Sequence, residues 1–213
     1  MKVCGVDEAG RGPIVGPLVI CGLMVDEADI PKLKAIGVKD SKLLTPKKRE
    51  QLAAQIEMIA TYALQIVTPK EIDETLRSDT MNLNWLEAVR TAMIANQLKP
   101  GRLIIDCPSN NIKAYKDYLS VYLQDKNMEF IADHKAESKY EVVAAASIIA
   151  KVTRDREIEA IKAAIGIDFG SGYTSDPKTR AKLEEIKAKH PHVLRHEWST
   201  IKKNKGVKKL TEY

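Results

Sequence analysis

From Tyr140 to Ile165 apolar residues recur at helical spacing, and in the first half (Val142, Val143, Ala144, Ala145, Ala146, Ile148, Ile149) they leave no polar face. A helix that is apolar nearly all round must be covered on every side, so this one belongs at the centre of a domain. With Lys151-Val152-Thr153-Arg154-Asp155-Arg156 charge returns, and the second half is expected to emerge at the surface. The cover has to come from strands. Leu18–Val25 is a continuous, β-branched apolar run of strand length, suited to burial on both faces. Lys2–Val6 is a second such run, joined to it by a Gly/Pro-rich loop, and the two are expected to pair antiparallel.

The remaining chain alternates between the two periods. Asp26–Gly37 is polar and interrupted by Pro31, and reads as a connection. Thr45-Pro46 supplies an N-cap and a first-turn proline for a helix to about Ala60. Tyr62–Val67 reads as a strand, 70–76 as a short helix, and Asn82 to Pro100-Gly101 as a longer one. Leu103–Asp106 is a buried strand, Asn111 caps a helix bearing Ile112, Tyr115 and Leu119, and Met128–Ala132 is a further strand. Gly166–Ser175 is a glycine-rich loop, and Asp176-Pro177 opens a helix through Lys189. Beyond His196 the chain is basic, with a helix expected around Trp198–Lys203. Strands alternating with helices make an α/β domain with a mixed sheet.

Several function classes are excluded. No apolar run approaches the ~18 residues that span a bilayer, and Met1-Lys2-Val3 leads straight into a strand without a signal-peptide pattern. The expectation is a cytoplasmic protein away from membranes. Cys4, Cys21 and Cys107 are odd in number and widely spaced, which gives neither a disulfide framework nor a zinc pattern. Buried thiols are expected. Net charge is +5, with five lysines between Lys202 and Lys209, which suits a polyanionic partner.

Two apolar strands end in acids, Val6-Asp7 and Ile105-Asp106, and Glu8 adjoins the first. Sites in α/β sheets form at strand carboxyl ends. Converging carboxylates repel, and an oxygen-preferring divalent cation removes that penalty. A pair of such ions hydrolyses phosphodiesters. Gly10-Arg11-Gly12-Pro13-Ile14-Val15-Gly16 matches neither the P-loop nor the dinucleotide spacing. Its glycines would let backbone amides approach a ligand, and Arg11 could grip a phosphate. There is no Gly-x-Ser-x-Gly elbow, and His134, His190, His192 and His196 are scattered.

Asp7-Glu8-Ala9-Gly10-Arg11-Gly12, Asp40-Ser41-Lys42, the run Ala145–Asp155 and Gly170-Ser171-Gly172-Tyr173-x-Ser175-Asp176-Pro177 together, in this order, resemble type 2 ribonuclease H (ribonuclease HII) of the archaeal single-chain kind. The resemblance implies a ribonuclease H-like mixed sheet flanked by helices, with a helical C-terminal extension: a catalytic domain over 1–195 and a basic helical segment over 196–213 packed on it. It implies an endonuclease that cuts RNA in RNA·DNA hybrids and 5′ of single ribonucleotides in duplex DNA, leaving 5′-phosphate and 3′-hydroxyl ends and using Mg²⁺ or Mn²⁺. Asp7, Glu8 and Asp106 match three metal-binding carboxylates. The fourth is an Asp in the family frame, and here that frame reads His134-Lys135-Ala136-Glu137. Glu137 is one bond, about 1.5 Å, longer, which is expected to weaken activity or favour Mn²⁺, with Asp133 out of frame.

By the same likeness the Gly10-Arg11-Gly12 backbone reads the ribose 2′-hydroxyl, Tyr173 stacks on the sugar at the RNA–DNA junction, and Lys42 contacts phosphates. Asn82 and Ser147 assist in binding substrate, and the basic end grips the duplex. A monomer is expected, and a replication-clamp contact is left open. Two alternatives stand beside this reading. One is a hybrid-binding module whose catalysis Glu137 impairs. The other is a different two-metal phosphodiesterase on the same fold, which the Gly-Arg-Gly and Gly-Tyr motifs disfavour.

Overall fold

The structure is a computed structural model that describes residues 1–38, 44–198 and 201. Five strands form one sheet: β1 (Lys2–Ala9), β2 (Leu18–Asp26), β3 (Thr61–Val67), β4 (Arg102–Asp106) and β5 (Glu129–Asp133). They lie in the order β3-β2-β1-β4-β5. The first three are antiparallel, with Asp7 opposite Cys21 and Leu18 opposite Val67. β4 and β5 run parallel to β1 and to each other. The central β1 therefore joins a meander to a parallel half.

Helices cover both faces. On one side lie α1 (Ile30–Ala35), α2 (Pro46–Glu57) and the long α6 (Glu141–Ile165); on the other lie α4 (Leu83–Leu98) and α5 (Ile112–Tyr122), with α3 (Pro69–Arg77) beside α4. Strand alternation sorts the core accordingly. Val3, Ala9, Cys21, Leu23 and Ile104 pack with the first half of α6, whereas Cys4, Val6, Leu18, Leu103 and Ile105 pack with α4 and α5. A third cluster joins Ile14 and Val15 to Ile158, Phe169, Leu194 and Ile201 and to α7 (Pro177–Lys189). All three cysteines are buried and free, as expected. No described helix is long and apolar enough to cross a membrane.

Two features differ from the expectation, and one was not anticipated. Asp26–Gly37 is not a bare connection: it holds a 3₁₀ turn at Glu27–Asp29 and α1. Pro31 is tolerated because it occupies the first turn, where a missing N–H costs nothing, and Leu33 is the buried anchor. The second half of α6 does not simply emerge, because Val152, Arg154 and Ile158 are buried. The chain after α7 forms a 3₁₀ turn at Pro191–Val193 and a bridge between Leu194 and Val15. The helix expected around Trp198–Lys203 and the lysine-rich end fall largely outside the described residues.

At Gly5 the sheet meets the backbone of α6, and any Cβ there would overlap the Val142 carbonyl and Val143 N. Both are backbone atoms and cannot rotate away. Gly5→Ala is expected to destabilise the fold by about 3 kcal/mol or more, read as an earlier midpoint in urea denaturation.

Candidate active site

Val6 pairs with Ile105 across parallel strands. Since Val6 and Ile105 both point toward α4 and α5, the next residues, Asp7 and Asp106, stand side by side on the α6 face. Asp7 is 7% exposed. Its Oδ1 accepts the Glu8 N–H at 2.7 Å, and the Ser147 hydroxyl of α6 also bonds its carboxyl. Burial nevertheless pushes Asp7 up to about 7, and the charges of Asp106 and Glu137 add to the rise. Asp106 Oδ1 accepts the Ala136 N–H at 3.1 Å. That bond ties the end of β4 to the 3₁₀ turn Ala136–Ser138, which carries the buried Glu137. Asp133 ends β5 beside Asp106, but Lys139 Nζ holds it at 2.6 Å and the His134 N–H caps it. A cleft of about 590 Å³ opens here, lined by Asp106, Glu137, Asn110, His134 and Lys135.

Strand alternation sends Glu8 to the opposite face, toward α4. Burial, then the charge of Glu87, raises its carboxyl well above the usual range. Glu87 is 2% exposed, and burial raises it to about 7 although Arg11 beside it lowers it. Arg11 Nε donates to Glu87 Oε1 at 2.8 Å and Nη2 to Asn84 Oδ1 at 2.6 Å. The Arg11 guanidinium, expected to grip a phosphate, is thus engaged by α4 while its side chain stays partly exposed.

The donors gathered here are carboxylate oxygens, which suit Mg²⁺ or Mn²⁺ rather than a soft metal. Among the described residues no three His, Cys, Asp or Glu side chains already stand at ligating distance from a common point. Glu8 is turned away from Asp7 by the pleat, and Glu137 enters from a separate turn. The acids fit such an ion in chemistry and in location, at adjoining strand ends.

Beside the acids lies the loop after β1. Gly10 has φ +86°, a left-handed conformation that glycine adopts without strain, and a Cβ there would overlap the Arg154 side chain. Tyr173 lies against Gly12, where an added Cβ would sit 3.4 Å from Tyr173 Cε1. The Tyr173 loop is fastened by Ile14 N donating to Gly172 O at 2.9 Å. The Arg154 guanidinium sits 5.4 Å from the centre of the Tyr173 ring.

Two other residues expected at the substrate have partners within the fold. Ser147 is 5% exposed and bonded to Asp7, so it orients that carboxylate. The side-chain oxygen of Asn82 caps α4, accepting from Trp85 N at 3.0 Å. Lys42, with Asp40 and Ser41, lies outside the described residues. Sequence reasoning missed Glu87, Arg154, Arg195 and Trp198. Arg154 lies inside a motif that was noticed, but only the tertiary fold shows it to be 1% exposed. Glu87 carried a signal of its own, a carboxylate on the apolar side of an otherwise well-patterned helix.

Comparison with known proteins agrees with this fold. A family model described as ribonuclease HII matches residues 4–201. Ribonuclease HII of Pyrococcus furiosus is 48% identical over 207 residues, which cover 95% of this chain and 91% of that protein. The crystal structure of ribonuclease H2 from Pyrococcus horikoshii superposes with a TM-score of 0.85 at 46% identity, covering 95% of this chain and 96% of that one. A ribonuclease HII from Archaeoglobus fulgidus, solved as a complex with PCNA, gives a TM-score of 0.84 at 40% identity, covering 93% and 96%. The mixed sheet with helices on both faces is thus a ribonuclease H-like fold, and the chain, an endoribonuclease, belongs to the ribonuclease HII family.

Proposed function

We propose that this ribonuclease cuts the RNA strand of RNA·DNA hybrids and the 5′ side of single ribonucleotides in duplex DNA, leaving 5′-phosphate and 3′-hydroxyl ends. Asp7, Glu8, Asp106 and Glu137 would hold Mg²⁺ or Mn²⁺, which when bound activates water and neutralises charge on the scissile phosphate. Gly10–Gly12 would read the ribose and Tyr173 would pack on the sugar. The observation that carries this reading is the placement of an acid pair directly beside a glycine loop. Among the described residues the Arg11 and Gly12 N–H groups of that loop have no acceptor. Such donors can recognise a 2′-hydroxyl, the group that separates RNA from DNA. The hybrid-binding module impaired at Glu137 gains no support, since the matched relatives are named as ribonucleases. The PCNA complex of the Archaeoglobus relative makes a sliding clamp the protein partner to test.

The test is cleavage of a DNA duplex carrying one ribonucleotide. A single cut 5′ of the ribonucleotide is expected with Mg²⁺ or Mn²⁺, and none after EDTA. Cutting that persists without divalent ions, or that ignores the ribonucleotide, would refute the proposal.

A further inference from the structure

A buried cation lies under the reading loop. Arg195 is 0% exposed. Its guanidinium donates to three main-chain carbonyls of the loop after β1: Nη2 to Gly10 O at 2.6 Å, Nη1 to Arg11 O at 3.0 Å and Nε to Gly16 O at 3.0 Å. Its own N–H donates to Ile14 O at 2.9 Å. Three residues on, Trp198 Nε1 donates to Gly12 O at 3.1 Å, and the Arg195 guanidinium packs 5.1 Å from the Trp198 ring centre. This segment is anchored from below. Asp73 of α3, 3% exposed, accepts the His196 N–H at 2.8 Å and the Glu197 N–H at 2.9 Å.

Peptide planarity turns these bonds into a directional constraint. In a trans peptide the carbonyl of one residue and the N–H of the next point in opposite directions. With the Gly10 and Arg11 carbonyls drawn inward to Arg195, the Arg11 and Gly12 N–H groups are turned outward. The next peptide, with its Gly12 carbonyl on Trp198, offers no N–H because Pro13 follows. Two outward donors remain, the two that lack an acceptor among the described residues. The energetics point the same way. A buried guanidinium met mainly by carbonyls is a poor way to stabilise a core, since burying the charge costs more than a well-packed apolar side chain would. What a planar fork supplies and an apolar side chain cannot is fixed directions for three carbonyls at once.

We propose that Arg195 is a positioning residue for substrate selection, assisted by Trp198 and anchored by Asp73, and that it aims the Arg11 and Gly12 N–H groups at the ribose 2′-hydroxyl. This rests on the reading of Gly10–Gly12 as the ribose reader. Its effect belongs to discrimination between ribose and deoxyribose, not to general affinity for a duplex.

The experiment measures binding in EDTA, where cleavage is blocked, to a DNA duplex with one ribonucleotide and to the same duplex made entirely of DNA. The proteins are the unaltered chain, Arg195→Lys, Arg195→Ala and Trp198→Phe, each checked by circular dichroism and thermal melting. The unaltered chain should prefer the ribonucleotide duplex. Arg195→Lys, which keeps the charge but cannot reach three carbonyls, should lose about tenfold of that preference, and Trp198→Phe a smaller part. Affinity for the all-DNA duplex should stay within about twofold. If Arg195→Ala does not fold, Arg195→Lys and Trp198→Phe carry the test. Equal weakening on both duplexes, or an unchanged preference in folded variants, would overturn the proposal while leaving the ribose reader intact. No preference in the unaltered chain would overturn the reader itself, and the proposal with it.

Discussion

Asp7→Asn is expected to lower kcat by about 10³-fold or more while making the protein more stable. The two effects share one cause. Asp7 is buried at a strand end and surrounded by acids, Asp106 beside it and Glu137 across from it. Burial lifts its carboxyl far above the usual range, so its ionised form is held at a cost to the fold. Asn keeps the shape and its Oδ1 can still accept the Glu8 N–H, but it removes the charge that a divalent cation needs. Without metal, the variant should melt several degrees higher, corresponding to about 1–3 kcal/mol. Single-turnover cleavage of a ribonucleotide-containing duplex and a melt in EDTA would check both halves. A variant that is inactive but destabilised would mean that the Asp7 carboxylate holds the sheet together instead.

Glu137→Asp is expected to raise the Mg²⁺-supported rate by about tenfold and to narrow the gap between Mn²⁺ and Mg²⁺. Glu137 stands on a 3₁₀ turn whose backbone is pinned to Asp106, so the turn cannot shift to absorb the extra bond. An octahedral Mg²⁺ site tolerates a displaced ligand poorly, and Mn²⁺ tolerates it better. Glu137→Ala should lose most activity with either ion. The check is the rate in each metal for the parent and both variants, and three equal rates would remove Glu137 from the site.

The sequence made much of this architecture legible. Leu18–Val25, Leu103–Asp106 and the apolar half of α6 announce their elements because burial on all sides leaves one period and no polar interruption. Asp7 and Asp106 could be paired in advance because both close apolar strands of an α/β chain. What stayed hidden depends on long-range partners. Arg154 and Arg195 look like surface cations until the loop around them is in place, because nothing local distinguishes a guanidinium that will meet carbonyls from one that will meet water. The contacts of Arg11 were hidden for the same reason: its partners Glu87 and Asn84 lie more than seventy residues away. The Asn82 cap follows from its place at the start of α4, whereas the bond from Ser147 to Asp7 depends on how α6 packs on β1.

The bond from Arg195 to the Gly10 carbonyl spans 185 residues. On a ribosome adding about 5–20 residues per second, roughly ten to forty seconds separate the synthesis of its two ends. The nascent chain therefore carries both aspartates and the whole central sheet before the guanidinium that bonds the first loop exists. The three loop carbonyls that Arg195 meets must therefore wait for the last part of the chain before their partner is made.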